Sequence, residues 1–164
     1  MNLPASPLVW PENYPPKGRW DSFFLGFPGL GPDLSFFKEL DKQQAARTEE
    51  VMAAWSDEQA RQVALSLGQI LRNHWGWKKP YFLPVDHTMV VVCGPDSSAY
   101  FDIDLGDIFE DFSVQLGVKM KAGFWETVID WNDRNASFGE LVRKLVRELG
   151  EIKVSKERPG EAPA

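Results

Sequence analysis

The chain has 164 residues, with 18 Lys and Arg against 24 Asp and Glu, a net charge of −6, 43% apolar and 26% charged residues. That length and balance suit one globular domain that buries a core without covalent staples, and they exclude a wholly disordered chain. Negative charge is repelled by phosphate backbones and anionic membranes, and the densest positive group is only Lys78 and Lys79, so neither nucleic acid nor membrane is expected as a partner.

Cys93 is the single cysteine, so no internal disulfide can form. There is no charged-then-apolar leader and no apolar run of membrane-spanning length, so a reducing, cytoplasmic home is the expectation. Seven Trp and eleven Phe make a heavy aromatic load, which suits a bulky core or a protein interface.

Residues 1–32 hold seven of the twelve prolines together with Gly18, Gly26, Gly29 and Gly31, so neither a long helix nor a central strand fits. The same stretch carries Trp10, Trp20, Phe23, Phe24 and Phe27. It reads as an extended arm whose aromatics pack on the body or on a partner.

A helical domain is expected over 33–150. Asp33 stands as an N-cap, and Phe37, Leu40, Val51, Met52 and Trp55 give one long helix or two short ones around a polar middle, Asp41 to Glu50. Ser56 and Gln59 make a capping box for a second helix, lined by Ala60, Val63, Ala64, Leu67, Ile70, Leu71 and Trp75 and stopped at Gly76. Pro80 and Pro84 break 79–88 into a loop. The β-branched apolar run Thr88 to Cys93 reads as a buried strand, turned at 94–97 into a returning strand at Ala99 to Ile103.

Leu105, Ile108, Phe109, Phe112 and Leu116 recur at helical spacing, which predicts a helix from Asp104 to Leu116 ended by Gly117. A short helix covers Phe124 to Trp131. The last begins at a second capping box, Ser137 and Glu140, is lined by Leu141, Leu145 and Leu149, and closes at Gly150. Residues 151–164 read as a flexible tail. The class is therefore mainly α (α+β), a bundle of about five helices with a small β-hairpin and the extended arm.

The residue types needed for chemistry do not assemble in the sequence. Cys93, His87 and Asp86, with Ser97 and Ser98 nearby, are the best nucleophile set, but Cys93 ends an apolar run and reads as a buried, inert thiol. His74 and His87 stand without a paired-cysteine motif, and Asp102, Asp104, Asp107, Glu110 and Asp111 lack the glycine and terminal glutamate of a calcium loop. Gly26, Gly29 and Gly31 have no following Lys-Ser or Lys-Thr pair for phosphate binding. No enzyme activity, metal or cofactor is expected.

The acidic helix is the most informative feature. At about 100° per residue, Asp104, Asp107, Glu110 and Asp111 fall on the side broadly opposite the apolar set. They form either a solvated outer face, favoured near the helix start by its dipole, or a docking surface for a basic partner. Trp125 and Trp131 lie nearby as core packing or as interface anchors.

Gln59 to Leu149 also resembles acyl-carrier-like helical domains and their uncharacterised bacterial relatives. The resemblance is carried by Trp75-Gly76-Trp77, the loop FLPVD, the helix DLGDIFEDFSVQLGVKM and the closing helix SFGELVRKLVREL. It implies a helical fold that presents an acidic helix to a basic partner. Carriers attach phosphopantetheine to the serine of an Asp-Ser-Leu at that helix start; Phe101, Asp102 and Ile103 stand at the matching positions here, so a working carrier is not expected. The hairpin-like segment 89–103 also departs from that pattern. By type alone, the size, acidity and aromatic load look like bacterial toxin immunity proteins. The expected function is non-catalytic protein binding, as an immunity protein or antitoxin that neutralises a basic toxin, or else as a non-carrier adaptor in a larger assembly.

Overall fold

A computed structural model describes residues 5–15, 33–95, 106–121, 123–130 and 132–157, the last seven by their backbone alone. The described residues are mainly helical: α1 (Phe36–Ala45), a 3-10 helix (Glu49–Ala54), α2 (Glu58–Trp75), α3 (Thr88–Cys93), α4 (Gly106–Leu116), α5 (Phe124–Val128) and α6 (Phe138–Glu157). Helix α2 is the central element and packs against α3, α4 and α6. Its apolar stripe supplies Val63, Ala64, Leu67, Ile70 and Leu71 to the core.

Several boundaries follow the sequence signals and several move. Helix α2 is capped by Asp57, whose carboxylate accepts the Ala60 N–H at 2.6 Å, one residue beyond the expected Ser56. Gly76 ends it in a left-handed conformation (φ 77°) that a side chain would resist, and its N–H reaches the Arg72 carbonyl. Helix α1 starts at Phe36. Asp33, the expected cap, instead accepts the Ser35 N–H and hydroxyl in the turn before it. The polar middle resolves into one α-helix and one 3-10 helix.

The Ser137–Glu140 capping box forms as expected, each side chain reaching the other residue's N–H at 3.0 and 3.3 Å. The helix it opens does not stop at Gly150 but continues to Glu157, into the segment expected to be tail. Glycine ends a helix when it turns left-handed, and Gly150 keeps a negative φ; in a helix interior it costs only about 1 kcal/mol. Helix α5 ends at Val128, before the expected Trp131.

The largest correction concerns Thr88 to Cys93, which is α-helical, not a strand. All six residues are buried, so the run carries no polar–apolar period that could distinguish the two. A helix closes its own backbone bonds, with Val91 N–H to His87 O and Gly94 N–H to Val90 O. The run can thus be enclosed on every side without a pairing strand. The expected returning strand, 99–103, lies outside the described residues. Among the described residues the β pairing is one isolated antiparallel bridge, His87 with Ser137.

Residues 5–15 of the N-terminal arm lie against the body. Leu8, Trp10 and Tyr14 are buried in the main core, and the Tyr14 ring meets Trp10, Phe36 and Phe37 at 4.8, 5.1 and 5.3 Å. The other arm aromatics, Trp20, Phe23, Phe24 and Phe27, lie outside the described residues.

Loop 78–87 passes partly through the interior, where Phe82, Leu83 and Asp86 are fully buried. Buried backbone needs partners, and side chains supply them. Gln44 accepts from the Lys78 and Lys79 N–H groups and donates to the Lys79 carbonyl. The Trp55 indole donates to Phe82 O at 2.9 Å, and Arg47 donates to Tyr81 O at 3.2 Å. On its far side the loop accepts from the Phe138 and Gly139 N–H groups, which fixes the start of α6.

Candidate functional site

Among the described members of the expected nucleophile set, Asp86 is taken up by a buried ion pair. Asp86 faces Arg47 in a paired arrangement: Oδ2 accepts from Nη1 at 2.6 Å and Oδ1 from Nη2 at 2.8 Å. Both side chains are at most 1% exposed. Asp86 also accepts the Leu8 and Leu83 N–H groups at 2.8 and 2.7 Å, so both its oxygens are committed. Arg47 continues to Ser6 O. One buried ion pair thereby joins the arm, the end of α1 and the interior loop.

Cys93 is buried, and desolvation pushes its thiol up to about 12, so it carries no thiolate at neutral pH. His87 is half-buried. Its pKa is pushed below the ordinary value first by burial and then by the Arg134 charge. Arg134 holds the arm further along, donating to the Glu12 and Pro11 carbonyls at 2.7 and 2.8 Å. Ser97, Ser98, Asp102 and the carrier-matching positions lie outside the described residues. Among the described residues, no group of three or more His, Cys, Asp and Glu is placed to hold a metal ion.

Helix α4 is amphipathic as its spacing predicts. Ile108 and Phe112 are buried, while Asp107, Glu110 and Asp111 are exposed. These three and Val114 stand at i, i+3, i+4 and i+7, so they line one face. Val114 is 73% exposed at the end of that face. Asp111 reaches His74 near the end of α2, with 2.6 Å between Oδ2 and Nε2. Asp107 and Glu110 have no cation beside them among the described residues.

Trp125 is half-buried and packs under this helix. Its ring stacks on Phe109 at 3.7 Å with an interplanar angle of 6°, and meets Phe112 and Phe124 edge-on at 5.6 and 5.3 Å. The structure thus brings Trp125 directly against the acidic helix, with core packing as its evident role. Asp104 and Trp131, the remaining expected contact residues, lie outside the described residues.

Sequence reasoning passed over Gln44, Arg47 and Arg134. Gln44 and Arg47 sit in the most polar stretch of the chain, where exposure is the ordinary expectation, and only their distant partners reveal burial. No family model matches the chain, and neither a curated protein nor a solved structure matches it. No helix among the described residues is long and apolar enough to cross a membrane.

Proposed function

We propose that this chain is a non-catalytic protein-binding domain that docks a basic partner through the outer face of α4. The observation that carries the reading is the line of exposed Asp107, Glu110 and Asp111 ending in exposed Val114, with the first two carboxylates facing no cation among the described residues. Like charges at i, i+3 and i, i+4 weaken a helix by roughly 0.2–0.5 kcal/mol per pair. A partner's lysines and arginines would reverse that cost, steer encounter and set register. Val114 offers a small apolar contact at the end of the stripe, and the Phe109–Trp125 stack stiffens the helix beneath it. Asp104 and Trp131 belong to the proposed contact set on sequence grounds alone.

The partner class we favour is a basic toxin, which makes the chain an inhibitor of the immunity or antitoxin kind. Its small size, acidity and aromatic load support that class. The test is capture of the partner from the native host by the tagged full chain, followed by mass spectrometry. The double variant Asp107→Lys, Glu110→Lys should keep its thermal midpoint and lose the partner by about tenfold or more. Equal capture by a folded double variant would refute the docking face. A captured synthetase or transferase would move the chain to the adaptor class.

A further inference from the structure

A cleft of about 380 Å³ is lined by the start of α3, the end of α5, the loop after it and the first half of α6. Its size falls in the range of small-molecule sites. One wall carries Arg143, Lys144 and Arg147 from α6, and the other carries Asp130 and Asp133 from the loop. Opposite charges that line one cleft can form ion pairs. Here none joins these two walls among the described residues.

The reason lies in what each side already holds. Asp130 accepts the Asn132 N–H at 2.9 Å, and Asp133 accepts the Asn135 N–H at 3.0 Å, each within its own turn. Glu140 at the cleft edge is held in the same way by the Ser137 N–H. Lys144 leans toward the Val128 carbonyl at 3.4 Å. Arg143 and Arg147, one helical turn apart, have no acidic partner among the described residues.

Thr88 supplies a second, independent observation. It forms part of the cleft wall and is only 4% exposed, yet its hydroxyl has no hydrogen-bond partner among the described residues. A buried hydroxyl without a protein partner is costly unless water or a ligand bonds to it. Threonine in a helix adopts either of two side-chain rotamers, which gives its hydroxyl a second direction in which to find a partner.

We propose that this cleft binds a small zwitterion, a free α-amino acid or short peptide. Its carboxylate sits on Arg143 and Arg147, its ammonium faces Asp130 and Asp133, and Thr88 Oγ1 bonds to it. The mixed walls select this class. A simple anion would also meet Asp130, Asp133 and Glu140, and a simple cation would also meet the three basic residues. Among the described residues the site shares none with the α4 face, and it stands independently of that reading.

Isothermal titration of the full chain tests it, with a panel of free α-amino acids and dipeptides as probes. Their C-terminal amides and inorganic phosphate serve as comparators. At least one zwitterion should bind saturably, with its amide weaker by about tenfold, the scale of one charge-assisted contact. The double variant Arg143→Ala, Arg147→Ala should lose about tenfold or more. Thr88→Val should weaken binding while leaving the far-UV circular dichroism unchanged. The proposal is overturned if no probe binds saturably, if amides or phosphate bind as tightly, or if the folded double arginine variant keeps the affinity. Asp107→Lys, Glu110→Lys should leave the titration unchanged, so the two readings fail separately.

Discussion

Replacing Asp86 with asparagine tests the part of the fold on which the rest hangs. The native carboxylate accepts four hydrogen bonds, two from Arg47 and one each from the Leu8 and Leu83 N–H groups. Asparagine keeps one accepting oxygen and places an NH₂ where a second is needed, so donors face donors and the Arg47 charge is left buried without its counterion. Breaking one side of a buried pair costs about 3–5 kcal/mol. A domain of this kind has roughly 5–15 kcal/mol in all. At a urea slope of about 2 kcal/mol/M, the unfolding midpoint should fall by roughly 1.5–2.5 M. Equilibrium urea unfolding followed by tryptophan fluorescence measures it. The double variant Arg47→Met, Asp86→Leu removes both charges, and should be less destabilised than the two singles added together. A loss below about 1 kcal/mol in Asp86→Asn, or strict additivity in the double variant, would refute the account of a buried, coupled pair. The Leu8 amide should also lose hydrogen-exchange protection first, because Asp86 is what holds that end of the arm.

Two further outcomes follow from the packing. The folded His87 has a pKa below its ordinary 6.5, so between the two values the unfolded chain binds more protons and stability rises with pH. Its contribution is complete above about pH 6.5 and is lost as pH falls through the folded value; His87→Gln should flatten the thermal midpoint across about pH 7.5 to pH 5, and an unchanged profile would refute the assignment. Gly68→Ala should destabilise by about 1–3 kcal/mol, read by thermal unfolding, although alanine alone favours a helix by about 1 kcal/mol. An added Cβ there would collide with the Pro80 carbonyl where the interior loop crosses α2. A stabilised Gly68→Ala would mean that the loop does not press on the helix.

The helical class, the course of α2 and α4, the Ser137–Glu140 box and the Gly76 stop are legible in the sequence, because each signal acts within one or two turns. Apolar spacing orients Ile108 and Phe112 inward whatever lies opposite, and this is also why the acidic face of α4 can be read without coordinates. Tertiary structure decided the rest. Thr88–Cys93 is buried on all sides, so its own pattern cannot separate strand from helix, and its surroundings chose the form that needs no external pairing. The separation of Arg143 from Asp130, and the unmet hydroxyl of Thr88 beside them, exist only where α3, α5 and α6 meet. Arg47 and Asp86 stand 39 residues apart, and each alone reads as a solvated charge. Only folding removes both from water together, and burial of a charge depends on a partner that no local pattern contains.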